Sequence, residues 1–149
     1  MKITISDIMR KKLETIGEVN SVQETAKKMV DKNVSSLVVV DENGRPQGLV
    51  TERDLVRKVC INDIHTSTIT NKEIMSSPLI TIDSNSSPSV AADIMLQNNV
   101  RHLLVVDENK SDISKPIGIV TPLDFSKYQV YTNNQVDKDS IEKILEYCM

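Results

Sequence analysis

Laid against itself at an offset of 66 residues, the chain matches itself: Ile8-Met9 falls on Ile74-Met75, Thr15-Ile16 on Thr81-Ile82, and Ala26 and Met29 on Ala92 and Met95. The match runs on through Asn33-Val34 and Asn99-Val100, Leu37 and Leu103, and the block Val39 to Asn43 against Val105 to Asn109. The offset then becomes 70, and Pro46, Gly48, Val50, Thr51 and Asp54 meet Pro116, Gly118, Val120, Thr121 and Asp124. The extra residues fall between Lys110 and Lys115, a polar stretch suited to a hairpin loop, where insertion disturbs least. Whatever one copy folds into, the other must fold into as well.

Within each copy the periodicities follow one order. Thr15-Ile16 and Leu79 to Ile82 read as a short first strand. Val22, Ala26, Met29 and Val30 then fall at helical spacing, with Ala92, Met95 and Leu96 in the second copy. Leu37 to Val40 and Leu103 to Val106 are apolar runs too short for helices and suited to buried strands. The turn Asp41-Glu42-Asn43-Gly44 leads into Gln47 to Val50, and Ile117 to Val120 matches it, giving a hairpin in each copy. A second helix starts at Thr51 and at Thr121. The expected fold is therefore mixed α/β, two β-α-β-β-α repeats. Each is too small to bury much surface alone, so the expectation is packing sheet to sheet with pseudo-twofold symmetry. The boundaries read as residues 1–62 for the first repeat, 63–71 for a polar linker, 72–130 for the second repeat, and 131–149 for a loop and a C-terminal helix. That helix opens on a cap at Asp139-Ser140-Ile141-Glu142 and carries Ile141, Ile144, Leu145 and Cys148 on one face, to pack on its own module or to serve as a dimer contact or lid.

Composition narrows the functions. The net charge of −3 and the 3% aromatic content, with no Trp and one Phe, argue against a phosphate-backbone footprint or a base-stacking surface. No nucleic-acid partner is expected. Cys60 and Cys148 lie far apart with no Cys/His cluster, so neither a metal site nor a disulfide framework is indicated. The opening MKITISDIMRKK has no apolar run long enough for a signal peptide, and nothing later approaches a membrane span, which reads as a cytoplasmic protein without membrane contact. There is no Ser/His/Asp order, no metal-ligand cluster and no Walker-type glycine loop, and His65 and His102 have no partner that spacing identifies. The chain reads as a binding module without a catalytic cofactor rather than an enzyme.

The chemistry concentrates where the last strand meets the second helix, at Gly48-Leu-Val-Thr51-Glu-Arg-Asp54 and Gly118-Ile-Val-Thr121-Pro-Leu-Asp124. A helix start offers N–H groups and a positive dipole end to an anion. Thr51 or Thr121 can offer a hydroxyl to a phosphate oxygen, and the carboxylate of Asp54 or Asp124 can accept from two vicinal ribose hydroxyls. Gly48 and Gly118 leave room for a ligand or a neighbouring strand. The same Thr-x-x-Asp spacing is also a capping box, and one copy alone would be merely a helix start. Recurrence of glycine, threonine and aspartate at one point of a duplicated unit favours a site.

The duplicated (D/E)-IM start, the hydrophobic-Val-Val-Asp strand and the Gly-h-h-Thr-x-x-Asp ending resemble a tandem CBS pair, or Bateman module, over residues 5 to 130. The resemblance implies two clefts between paired repeats that take AMP, ADP, ATP or S-adenosylmethionine. It implies ribose binding by Asp54 and Asp124, phosphate contacts by Thr51 and Thr121, and adenine edged by backbone around Thr15-Ile16 and Ile80, Thr81 and Ile82. At the entry to the second strand the copies differ, with Ser35-Ser36 in the first and Arg101-His102 in the second. Family members often carry basic residues at those two places, so the second cleft is expected to hold the more highly charged ligand. In the first, Glu52 sets a like charge beside its phosphate seat and Arg53 offsets it. Pro122 suits a first helical turn but removes one N–H from the second seat. The expected function is a regulatory adenine-nucleotide sensor, a homodimer acting on an unidentified protein partner through conformational or oligomeric change. A sensor of S-adenosylmethionine and a ligand-free scaffold stand as alternatives.

Overall fold

A computed structural model describes residues 2–110 and 115–126, together with Glu142 and Glu146. Apart from those two glutamates, the expected C-terminal helix lies outside the described residues, as does the insertion at residues 111–114. The chain divides into two compact units, one of Leu13–Leu79 and one that joins Met1–Lys12 to the chain from Ile80 onward. Each holds one three-stranded sheet of mixed direction.

In the first unit, β1 (Thr15–Gly17) leads to α2 (Val22–Lys32), then to the hairpin β2 (Ser36–Val40) and β3 (Pro46–Thr51); α1 (Ile5–Ile8) lies upstream, in the other unit. The capping box at Ser21 starts α2: its hydroxyl accepts from the Glu24 N–H at 3.2 Å, and the Glu24 carboxylate accepts from the Ser21 N–H at 3.2 Å. Asn33 ends α2 at φ 53°, a left-handed conformation that asparagine tolerates better than most residues. β1 runs parallel to β2, with Thr15 opposite Val38, and β3 antiparallel to it, with Ser36 opposite Thr51. After Thr51 come a short helix α3 (Glu52–Asp54) and one π-helical stretch, Leu55–Cys60.

The second unit repeats this order with β4 (Thr81–Asp83), α5 (Pro88–Asn98), β5 (Leu103–Val106) and β6 (Gly118–Val120), followed by a 3₁₀ turn at Pro122–Asp124. Ser87 caps α5, and Asn99 ends it at φ 54°, as Asn33 ends α2. The strand expected from Leu79 starts only at Thr81. Its ladder begins one step earlier, where the Ile80 carbonyl accepts from the Leu104 N–H at 3.0 Å.

Apart from Phe125, the cores are aliphatic. Val22, Met29, Leu37, Val39, Val50, Val59 and Ile74 form one. Ile5, Ile8, Ile82, Ala91, Ala92, Met95, Leu103, Val105, Val120 and Phe125 form the other. Val30, expected on the apolar face of α2, is 83% exposed. The buried line is Val22, Thr25 and Met29, an i, i+3, i+7 stripe that points Val30 away.

The helix that opens each sequence repeat packs in the unit built around the other repeat's strands. α1 (Ile5–Ile8) belongs to the second unit, where the Ile5 N–H donates to the Ser86 carbonyl at 2.8 Å and the Ser6 N–H to Ser84 at 3.0 Å. α4 (Asn71–Ile74) belongs to the first, with the Asn71 N–H on the Asn20 carbonyl at 3.1 Å and the Lys72 N–H on Glu18 at 2.9 Å. Thr70 caps α4, and its N–H and hydroxyl, donating to the Glu73 carboxylate, hold that carboxyl below its ordinary value. The segment read as a linker is tied to α2: Thr66 and Ile69 carbonyls accept from the Gln23 and Val22 N–H groups at 3.0 and 2.9 Å. Sequence repeat and packing unit are therefore offset by one helix, because the opening helix finds its apolar partners on the other sheet.

Candidate functional site: the strand-to-helix junctions

Both Thr-x-x-Asp segments fold as capping boxes. The Asp54 Oδ2 accepts from the Thr51 N–H at 2.9 Å and from its hydroxyl at 3.2 Å. The Asp124 Oδ2 accepts from the Thr121 N–H and hydroxyl at the same two distances. Both aspartates are buried, Asp124 fully. The remaining oxygen of each carboxylate faces a cation that sequence reasoning did not single out. Lys58 lies 3.1 Å from the Asp54 Oδ1, and the Arg10 Nε lies 3.2 Å from the Asp124 Oδ1. The i, i+4 spacing of Asp54 and Lys58 was a usable signal. Nothing in the sequence ties Arg10 to a residue so far along the chain.

Sheet register gathers the other candidates at the same end of each sheet. In the first unit Ser36 pairs with Thr51, and the Ser35 carbonyl accepts from the Glu52 N–H at 3.0 Å. Thr15 sits on the neighbouring parallel strand opposite Val38, and its carbonyl is held by the Lys28 ammonium. In the second unit Leu103 pairs with Val120 and Thr81 with Leu104, so His102 and Thr121 continue adjacent strands past the last pair. Arg101 and His102 are half-buried, and the Arg101 Nε is inside. Arg53 is also half-buried. Several amides expected to form the anion seat are used within the chain: Glu52 on Ser35, Asp54 on the Thr51 hydroxyl at 3.3 Å, Asp124 on the Thr121 carbonyl at 3.0 Å. A phosphate at either junction would rely mainly on side chains.

The glycines answer to backbone. A Cβ on Gly48 would lie 2.7 Å from the Met75 Sδ and 2.9 Å from the Ser76 carbonyl oxygen. One on Gly118 would lie 2.5 Å from the Met9 Sδ and 2.9 Å from the Arg10 carbonyl oxygen. Ser76 bridges Leu49, and Arg10 bridges Ile119, each as a one-residue antiparallel addition to the sheet. Of the two uses open to these glycines, close approach of a neighbouring chain segment is the one present. It also explains the repeated Ile-Met: the isoleucine fills the core and the methionine lies over the glycine.

A family model described as the CBS domain matches residues 5–60 and 72–131. The chain belongs to the CBS-domain family. It is 30% identical over 137 residues to an uncharacterized protein of Methanopyrus kandleri, covering 92% of this chain and 68% of that one. A crystal structure of a conserved protein from Pyrococcus horikoshii matches at a TM-score of 0.77 and 29% identity, over 91% of this chain and 98% of that one. A solved CBS domain pair in complex with 5′-methylthioadenosine and S-adenosyl-L-methionine matches at a TM-score of 0.72 and 29% identity, over 87% and 98%. The chain is thus a CBS pair, a regulatory type of module. Among the described residues, no three His, Cys, Asp or Glu side chains are placed to hold a metal ion, and no helix is long and apolar enough to cross a membrane.

Proposed function

We propose that this CBS pair is a non-catalytic sensor of adenine nucleotides, binding at the strand-to-helix junctions and acting on a protein partner, or on its own homodimer, in the cytoplasm. The observation that carries the reading is that the Gly-h-h-Thr-x-x-Asp junction recurs at the same end of both sheets, each time with a buried carboxylate beside a cation. Asp54 and Asp124 would take the ribose hydroxyls, and Thr51 and Thr121, released from their caps, would contact phosphate or its neighbours. Backbone at Thr15, Ile16, Ile80, Thr81 and Ile82 would edge the base. Arg101 and His102 give the second junction the stronger attraction for phosphate, whereas Ser35 and Ser36 leave the first to Arg53. Binding shifts the equilibrium between conformations or assemblies by its difference in affinity for them.

A second reading, a sensor of S-adenosylmethionine or 5′-methylthioadenosine, is supported by the relative solved with those ligands. It keeps both aspartates but has no need of Arg101 and His102. A thermal-shift panel of AMP, ADP, ATP, S-adenosylmethionine and 5′-methylthioadenosine separates the two, since a ligand of the native state raises the melting temperature. Stabilisation by nucleotides, lost in Asp54→Asn or Asp124→Asn and weakened when Arg101 and His102 are both made neutral, is the expected result. Stabilisation by the thioether nucleosides alone would transfer the assignment to the second reading. No shift with any of them would leave the pair as a scaffold.

A further inference from the structure

The carboxylate assigned to ribose in the second unit is already occupied by the chain itself. The Asp124 Oδ2 serves the Thr121 cap, the Arg10 Nε lies on Oδ1 at 3.2 Å, and only 1% of the aspartate side chain is exposed. A ligand arriving from solvent cannot bring two hydroxyls to such a carboxylate until a covering group moves. The Thr121 backbone N–H stays on Oδ2 even when its hydroxyl turns to a phosphate. Arg10 is different: its side chain is 44% exposed, and its backbone is held separately by the bridge to Ile119, at 2.9 and 3.0 Å. Its guanidinium can therefore leave Asp124 without disturbing the sheet.

We infer that Arg10 is an exchangeable latch: it covers Asp124 in the free protein and passes to an anionic group of the ligand when vicinal hydroxyls take its place on the carboxylate. This rests on the nucleotide reading above and adds a selectivity to it. A ligand with a diol and an anion replaces both halves of the broken ion pair. A neutral nucleoside replaces one half and leaves the guanidinium to water. Charge-assisted hydrogen bonds are about twice as strong as neutral ones, so the anion decides the exchange.

The first unit supplies an internal contrast. Ser76 stands at the position of Arg10, bridging Leu49 as Arg10 bridges Ile119. The cation on Asp54 comes instead from its own helical stretch, and Lys58 also donates to the Ile74 carbonyl at 2.7 Å. A cation tethered to a backbone carbonyl is not released by exchange at the carboxylate, so the two junctions differ in how they respond to ligand charge.

Calorimetric titration of the full chain with AMP and with adenosine tests this, using the wild type, Arg10→Ala and Arg10→Gln, with Asp124→Asn identifying the heat that belongs to this site. The expected result is that adenosine binds Arg10→Ala more tightly than wild type while AMP binds less tightly, so that the preference for AMP falls about tenfold, roughly one charge-assisted hydrogen bond. Adenosine binding to Arg10→Ala where the wild type takes neither ligand also supports the latch. An AMP preference at the Asp124 site that stays within about twofold in both variants would overturn the latch and leave the nucleotide reading standing. If neither the wild type nor the variants, all melting cooperatively, bound either ligand, the latch and the nucleotide reading would fall together.

Discussion

Gly48 and Gly118 show how a single position can be set by backbone rather than by a ligand. Each lies under a methionine and against a carbonyl oxygen of the segment that bridges the sheet edge, with no room for a Cβ. The methionine end can swing aside, but the carbonyl belongs to a hydrogen-bonded bridge and cannot. Gly48→Ala and Gly118→Ala are each expected to destabilise the chain by about 1–3 kcal/mol, read from urea unfolding midpoints at unchanged slope. Gly44→Ala is a different control: a Cβ there meets nothing within 4 Å, and the cost comes only from its φ of 76°. Substitutions at Gly48 or Gly118 tolerated without loss of stability would remove the steric account. The aspartates follow the same logic. Thr-x-x-Asp was legible as a cap and as a site, and the caps are formed. Their cationic partners were only half legible, Lys58 by its i, i+4 spacing and Arg10 not at all.

At the scale of elements, the two opening helices are distinguished by one exchanged pair. In the first unit Asn71 is fully buried, its Oδ1 accepting from the Thr25 hydroxyl at 2.5 Å and its Nδ2 donating to the Gly17 carbonyl at 3.0 Å. The matching positions in the second unit are Ile5 and Ala91, both fully buried and in the same apolar cluster. A polar helix start therefore meets a polar partner, and an apolar start meets alanine. Docked the other way, Asn71 and Thr25 would each be buried against apolar groups with hydrogen bonds unmade. The predicted outcome is strongly non-additive: Thr25→Ala and Asn71→Ile each cost about 1–3 kcal/mol, whereas the double variant, which copies the second unit, lies closer to the wild type than the sum of the two. A double-mutant cycle in urea measures it, and additive losses would mean that the pair is not coupled. No periodicity argument exposes this pairing, because Thr25 sits on a helix whose apolar stripe reads more naturally through Ala26.

At the scale of the whole molecule, the repeat read from the sequence and the unit that packs are not the same stretch of chain. A fragment of residues 13–79 contains its sheet, α2 and the α4 helix whose Ile74 completes the core, whereas a fragment of residues 1–62 keeps α1 and lacks α4. The longer-bounded fragment is expected to show slowed amide exchange in β2 and β3 and the shorter one little, although each is near the lower size limit for independent folding. Equal protection in both would show that α4 contributes nothing to the unit. The sequence by itself determined the duplicated strand and helix order, the hairpins and the recurring Thr-x-x-Asp, because these depend on local periodicity, capping and turn chemistry that repeat wherever the residues repeat. Only the tertiary structure decided which opening helix covers which sheet, why the junction glycines must be glycine, and which cation meets each buried carboxylate, because those outcomes depend on contacts between segments far apart in the chain, and spacing along a sequence carries no distance in space.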